Sequence, residues 1–280
     1  MTLHRWRARV AVAVLGIAAF VILPSSALAQ SALVLYDDFN GKVIDPDRWT
    51  GQDFDTSARD RRETVRETTG NALRLASRLY SNPNLETTRN GGSMIRFLDP
   101  SSVNAIRAQI RVMDVEANAC DPGGSPAIAR GQMSGVFFNT GAGAAPSNQT
   151  GDVRAGITIR RTSSSLDPPQ VLEVIAFVNE CTNAACTTTS SQSTRLGSVE
   201  LKEKVNVALE WDKVNSQFAF QLRDDGPVAI SYSAPLLKAP IAGEKTFFVT
   251  HTAPGCGGGL RSDAYMDLRV DNVFVNAALP

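Results

Sequence analysis

Arginines at even spacing are the first residues in this sequence that could do chemistry. Arg74 and Arg78, Arg107 and Arg111, and Arg154 and Arg160 fall within three runs that alternate polar and apolar residues, with Gln109 inside the second run and Thr158 inside the third. Residues an even number apart on a strand project from one face, so each run would present its guanidiniums together. A guanidinium grips a carboxylate or sulfate through two parallel N–H bonds. Three such strands side by side would make a cationic trough for an acidic polysaccharide, and Tyr80, at the end of the first run, could stack on a sugar ring beside it. The competing role is a solvated sheet face whose arginines pair with Glu and Asp on adjoining strands.

Two other constellations invite the same question. Glu210 and Asp212 are two apart and would project together, and glycoside hydrolysis needs two carboxylates about 5–10 Å apart. Asp212 also stands where a hairpin turn begins, and there a carboxylate hydrogen-bonds its own backbone. His251 could serve as a general base, but no Ser or Cys nucleophile signature accompanies it, so a structural histidine is expected.

The elements that must position these residues are strands. Short alternating runs separated by Gly, Pro, Asn and Ser clusters fill the chain, and helical periodicity is almost absent. The spacing predicts strands at Glu63–Thr68 and Ala72–Tyr80, joined by Thr69-Gly70-Asn71, then at Met94–Leu98, Ala105–Val115, Gly135–Asn139, Val153–Arg161 and Val171–Val178. Val205–Trp211 and Gln217–Leu222 read as a hairpin, followed by Val228–Tyr232, Thr246–His251 and Ala264–Val275. Residues 117–132 read as a Gly/Pro loop, and the Thr/Ser tract up to Thr194 as a segment standing away from the body. Near the start, Leu35–Trp49 carries two corners, Asn40-Gly41 and Asp45-Pro46-Asp47, with Phe39 and Trp49 placed to plug one end of a core.

Compartment follows from the first residues and the cysteines. Arg5, Arg7 and Arg9 precede an apolar run, Val10–Leu23, and the small residues Ser25–Ala29, which is the pattern of a secretory leader cleaved after Ala29. The chain carries 28 basic and 28 acidic residues, so loss of the three leader arginines leaves a net charge of −3. An acidic mature chain is a poor candidate for general nucleic-acid binding. No later stretch reaches membrane-spanning length. Cys120, Cys181, Cys186 and Cys256 are an even number in an exported chain, so disulfides are the default. Three connectivities exist; the preferred one staples Cys181 to Cys186 and joins Cys120 to Cys256. One domain over residues 30–280 is expected, periplasmic or secreted, with its oligomeric state left open.

Three stretches carry a resemblance to a known superfamily: Asp37-Asp38-Phe39-Asn40-Gly41 with Ile44-Asp45 and Trp49; Leu209-Glu210-Trp211-Asp212 with Asn215 and Phe218; and Val270-Asp271-Asn272-Val273-Phe274-Val275. In that order they resemble the concanavalin A-like lectin/glucanase superfamily. The resemblance implies an all-β jelly roll of two stacked antiparallel sheets, with first and last strands side by side and a concave face able to hold a glycan. It also implies, in some members, a calcium ion on the outer face, for which Asp38 and Asp271 would be the carboxylate donors here. It brings no catalytic motif: the hydrolases of this fold carry Glu-x-Asp-x-x-Glu on one strand, and the nearest run here, Glu173-Val174-Ile175-Ala176-Phe177, lacks the second and third acids. The expected function is non-catalytic binding of a glycan, an anionic one if the arginines form a trough. The alternatives are a polysaccharide lyase or hydrolase of the same fold, and a structural or protein-interaction domain of the cell envelope.

Overall fold

The computed structural model describes residues 32–54, 62–84, 86–121, 124–143 and 147–276; the leader lies outside them. Among the described residues there are fifteen strands and no helix: β1 (Val34–Asp37), β2 (Trp49–Phe54), β3 (Arg62–Thr68), β4 (Leu73–Tyr80), β5 (Arg89–Phe97), β6 (Ala105–Asn118), β7 (Ile128–Asn139), β8 (Asp152–Thr162), β9 (Val171–Cys181), β10 (Thr189–Glu200), β11 (Val205–Asp212), β12 (Gln217–Leu222), β13 (Val228–Ser231), β14 (Lys245–Ala253) and β15 (Asp263–Val275). They form two antiparallel sheets. The back sheet runs β13-β12-β11-β6-β15-β4-β3, with β1 added along β15, and the front sheet runs β10-β9-β8-β7-β14-β5-β2. Two stacked antiparallel sheets are the all-β jelly-roll sandwich that the sequence predicts. The first and last strands lie edge to edge, Val34 opposite Val275 and Leu35 opposite Phe274.

One apolar core fills the space between the sheets. Inward residues of the back sheet, such as Leu75, Ile106, Leu209 and Leu268, meet Ile95, Met133, Ile157 and Phe247 of the front sheet. Strict alternation produces this division, because every second residue of a half-buried strand points into the sandwich. The corner after β1 plugs one end as expected. Phe39 and Trp49 are buried with ring centroids 5.5 Å apart. Asp37 holds the corner, accepting Nε1 of Trp49 at 2.6 Å and the backbone N–H of Phe39 at 2.8 Å. In a second aromatic cluster Trp211 stacks on Phe138 at 5.1 Å and donates Nε1 to the Tyr232 hydroxyl.

The β3–β4 turn shows why the hairpins fall where they do. Gly70 and Asn71 both take positive φ, 58° and 56°, and the Thr69 N–H reaches the Ala72 carbonyl at 2.9 Å. Both central residues of a two-residue hairpin of this hand need the left-handed region, which Gly and Asn enter at little cost. Both disulfides have the preferred pairing, Cys120–Cys256 and Cys181–Cys186, and such bridges belong to an oxidising compartment.

Two expectations need correction. Residues 128–132, read as loop, are the first half of β7, and the Thr/Ser tract is β10, hydrogen-bonded along the whole of β9. Short polar side chains such as Thr and Ser serve well on an exposed edge strand, where nothing requires an apolar face.

Candidate functional site

The predicted arginine trough is divided by the topology. Arg74, Arg78 and Tyr80 lie on β4, and Arg107, Gln109 and Arg111 on β6; both strands flank β15 in the back sheet. Arg154, Thr158 and Arg160 lie on β8 in the front sheet. Since the chain crosses from one sheet to the other between β6 and β7, the two sets face away from each other across a full sandwich. There is no single trough.

On the back sheet Arg74, Arg78 and Arg269 are met by acids. Arg78 contacts Glu116 at 2.6 Å and Asp263 at 3.1 Å, and its guanidinium lies 4.5 Å over the Tyr265 ring. The bond to Glu116 is the main reason its pKa stands above the ordinary arginine value. Arg74 contacts Asp267 at 2.9 Å and Glu67 at 3.1 Å, and Asp267 also meets Arg269 at 3.2 Å. Arg107 sits 5.2 Å over the ring of Phe274. Gln109 and Arg111 line a cleft of about 300 Å³ with Met113, Lys204, Arg269 and Asp271. Tyr80 is half-buried on the outer face of the same sheet, away from the front one.

The two predicted calcium donors, Asp38 and Asp271, each make local hydrogen bonds. Asp38 accepts the backbone N–H and the side-chain amide of Asn40, at 3.1 and 2.7 Å, and Asp271 accepts the N–H of Asn272 at 2.7 Å. Calcium takes six to eight oxygens, and among the described residues no three acidic, His or Cys side chains converge on a point that could hold a metal. Each carboxylate secures its own bend.

The other candidates also take structural roles. Asp212 accepts Asn215 N at 3.0 Å, Asn215 Nδ2 at 2.6 Å and Gln217 Nε2 at 3.1 Å, and these bonds, led by Asn215, depress its pKa. His251 is 0% exposed between the sheets, and burial pushes its pKa down to about 3. A second titratable group, Lys245, is also buried there; it donates to the Val136 carbonyl at 2.7 Å, and burial pushes its pKa down to about 8. Neither is placed to reach a solute.

A different set of residues comes together on the outer face of the front sheet. Register aligns three rows across five strands: Arg96–Thr246–Ser134–Gly156–Phe177, then Met94–Phe248–Gln132–Thr158–Ile175, then Gly92–Thr250–Arg130–Arg160–Glu173. All alternate with inward core residues and therefore point outward. Yet Gln132, Thr158 and Thr250 are each only 8% exposed, so the middle of this face is recessed. Among the described residues none of the three side chains has a protein hydrogen-bond partner, and none of their polar atoms is sealed from solvent. Aromatic surface flanks them in Phe248 and Phe177. Gly156 makes room for the latter: a Cβ there would stand 2.7 Å from Phe177 Cζ and 2.6 Å from Ser134 Cβ.

Charge on this face is confined to its borders. Arg160 pairs with Glu173 at 2.9 Å, and Glu244 bridges Arg96 at 3.1 Å and Arg154 at 3.2 Å. Arg130 is the exception, donating Nη2 to Thr252 Oγ1 at 2.8 Å with no acid beside it. Sequence reasoning misses Gln132 and Arg130 because both fall inside residues 117–132, read as a Gly/Pro loop. A signal was present: Ala127, Ala129, Gly131 and Met133 alternate with Ile128, Arg130, Gln132 and Ser134, a period of two written in small rather than large apolar residues.

No family model matches the sequence, and no curated protein matches it. Among solved structures, the laminarinase from Flavobacterium sp. UMI-01 is 12% identical, with 87% of this chain and 99% of that chain covered and a TM-score of 0.46. The catalytic domain of an endo-1,3-beta-glucanase (laminarinase) from Thermotoga petrophila RKU-1 is 10% identical, covering 87% and 98%, with a TM-score of 0.45. The Emp47p carbohydrate recognition domain is 10% identical, covering 86% and 96%, with a TM-score of 0.37.

Proposed function

We propose that this chain is an exported, periplasmic or secreted glycan-binding domain without hydrolytic activity, and that the outer face of the front sheet is its binding surface. The observation that carries this reading is the recessed centre of that face, where Gln132, Thr158 and Thr250 keep free hydrogen-bonding capacity beside Phe248 and Phe177. A sugar ring offers hydroxyls to amide and hydroxyl groups and an apolar C–H face to an aromatic ring. Recessed polar groups without protein partners are held by water, and a ligand that reproduces those bonds can displace it.

Hydrolysis would require two carboxylates facing one another across the bound chain. The three central rows contain one acid, Glu173, and it is engaged by Arg160. The residue types there favour holding a glycan over cleaving it.

Affinity electrophoresis of the mature chain in gels containing laminarin, alginate or polygalacturonate tests this, with the same mixtures assayed for new reducing ends and for ultraviolet-absorbing unsaturated product. Retardation without product is the expected result. Product formation would convert the reading to a hydrolase or lyase. No retardation in any gel would leave a structural or protein-interaction role in its place.

A further inference from the structure

Resting on that reading of the front face, we infer that Arg130 is an oxyanion subsite, and that the glycan this domain takes carries a carboxylate or sulfate group there. Arg130 lies in the third row between Thr250 and Arg160, one row from Gln132. It is half-buried, and its Nε is sealed from solvent with no hydrogen-bond partner. Among the described residues no carboxylate reaches it; the only acid in its row, Glu173, is held by Arg160. A cation withdrawn from water without a counter-ion is costly, and a second cation beside it adds to that cost.

The surroundings also aim the group. Thr252 accepts from Arg130 Nη2 at 2.8 Å and donates to Asn90 Oδ1 at 2.9 Å, so the guanidinium is anchored on one side. Its remaining Nη1 is left for a planar or tetrahedral oxyanion. Every other front-face arginine in these rows, Arg96 and Arg160, already has an acid at about 3 Å. A uronate or sulfated sugar could place its anion on Arg130 and its hydroxyls on Gln132 and Thr250, a combination a neutral glycan cannot use.

The test compares the native chain with Arg130→Gln and Arg130→Lys, titrated with oligogalacturonate, a sulfated galactan oligosaccharide and a laminarin oligosaccharide. Arg111→Ala on the back sheet is the control. The native chain should prefer an acidic ligand, with affinity falling as salt rises. Arg130→Gln should lose at least tenfold for that ligand and lose part of the salt dependence, while any neutral binding and the Arg111→Ala affinities stay unchanged. A difference between the two acidic ligands identifies carboxylate or sulfate as the group bound. Should Arg130→Gln not fold, competition on the native chain by sodium sulfate against sodium chloride at equal ionic strength reads the same subsite. Equal affinity of Arg130→Gln and native chain for acidic ligands, or no advantage of sulfate in the competition, overturns the assignment. Retention of laminarin alone keeps the glycan face and removes the anion subsite; no binding of any glycan removes both.

Discussion

The outer faces of the two sheets draw on similar side chains and reach opposite ends. On the back sheet Arg74, Arg78 and Arg269 are met by Glu67, Glu116, Asp263 and Asp267, so each of these three charges is answered by an acid on the same face. On the front sheet the centre is neutral and recessed, and Gln132, Thr158 and Thr250 have no protein partners among the described residues. A charge answered by an acid beside it needs nothing further, whereas a recessed group with spare donors and acceptors is completed by solvent or solute. Abundance of arginine is therefore a poor guide to a binding surface; the presence or absence of the partner decides.

Five experiments would break or sharpen this contrast. The largest effect is expected from Asp267→Ala, which strips Arg74 and Arg269 of a shared, nearly buried partner. A loss of about 2–3 kcal/mol is expected, lowering Tm by several degrees, with glycan retardation unchanged; calorimetry that finds no loss would make the back-face ladder ornamental. Next, Thr158→Trp fills the front recess. It should weaken glycan binding tenfold or more while moving Tm little, and unchanged binding would relocate the site.

Third comes acid. His251 is neutral in the folded chain, since burial, joined by the charges of Arg130 and Arg78, holds its pKa down to about 3. Unfolded, it would bind a proton below about 6.5, so between those values the unfolded state holds the extra proton and stability falls as pH falls. The slope is at most about 1.4 kcal/mol per unit. His251→Met should flatten the decline of Tm between pH 6.5 and 4.5; an unaltered slope would assign that decline to the carboxylates of the two faces. The smallest effects belong to the back-face cleft. Arg111→Ala should change Tm by no more than about 0.5 kcal/mol equivalent, and millimolar calcium should leave the melting curve of the native chain in place; a calcium-dependent rise would show that Asp38 and Asp271 share an ion after all.

Much of the architecture was legible because it follows from alternation and turn chemistry, both local. Leu73, Leu75 and Leu79 against Arg74, Arg78 and Tyr80 place β4 and its buried face without knowledge of any neighbour, and the Gly70-Asn71 corner sets its hairpin. Sheet membership is not local. Arg107 and Arg160 look alike along the sequence, yet one faces Phe274 and the other Glu173 on opposite sides of the molecule. The site was hidden for a second reason. β7 packs through Ala129, Gly131 and Met133, with Gly131 giving room to the Leu268 and Met266 side chains. A strand that buries small residues lacks the bulky apolar rhythm by which strands are recognised.

The position of β15 has a consequence for how the molecule comes into being. It follows the other fourteen described strands in the sequence, yet it occupies the middle of the back sheet, between β6 and β4, and supplies the partner for β1. Until it arrives, β4 and β6 have no hydrogen-bonding neighbour between them, and the sheet remains in two halves. Closure of the back sheet must wait for β15, so folding is governed by contacts between distant segments and is expected to be slow. A polypeptide interrupted before Asp263 would expose two open strand edges at once, the condition under which chains seek each other instead of themselves.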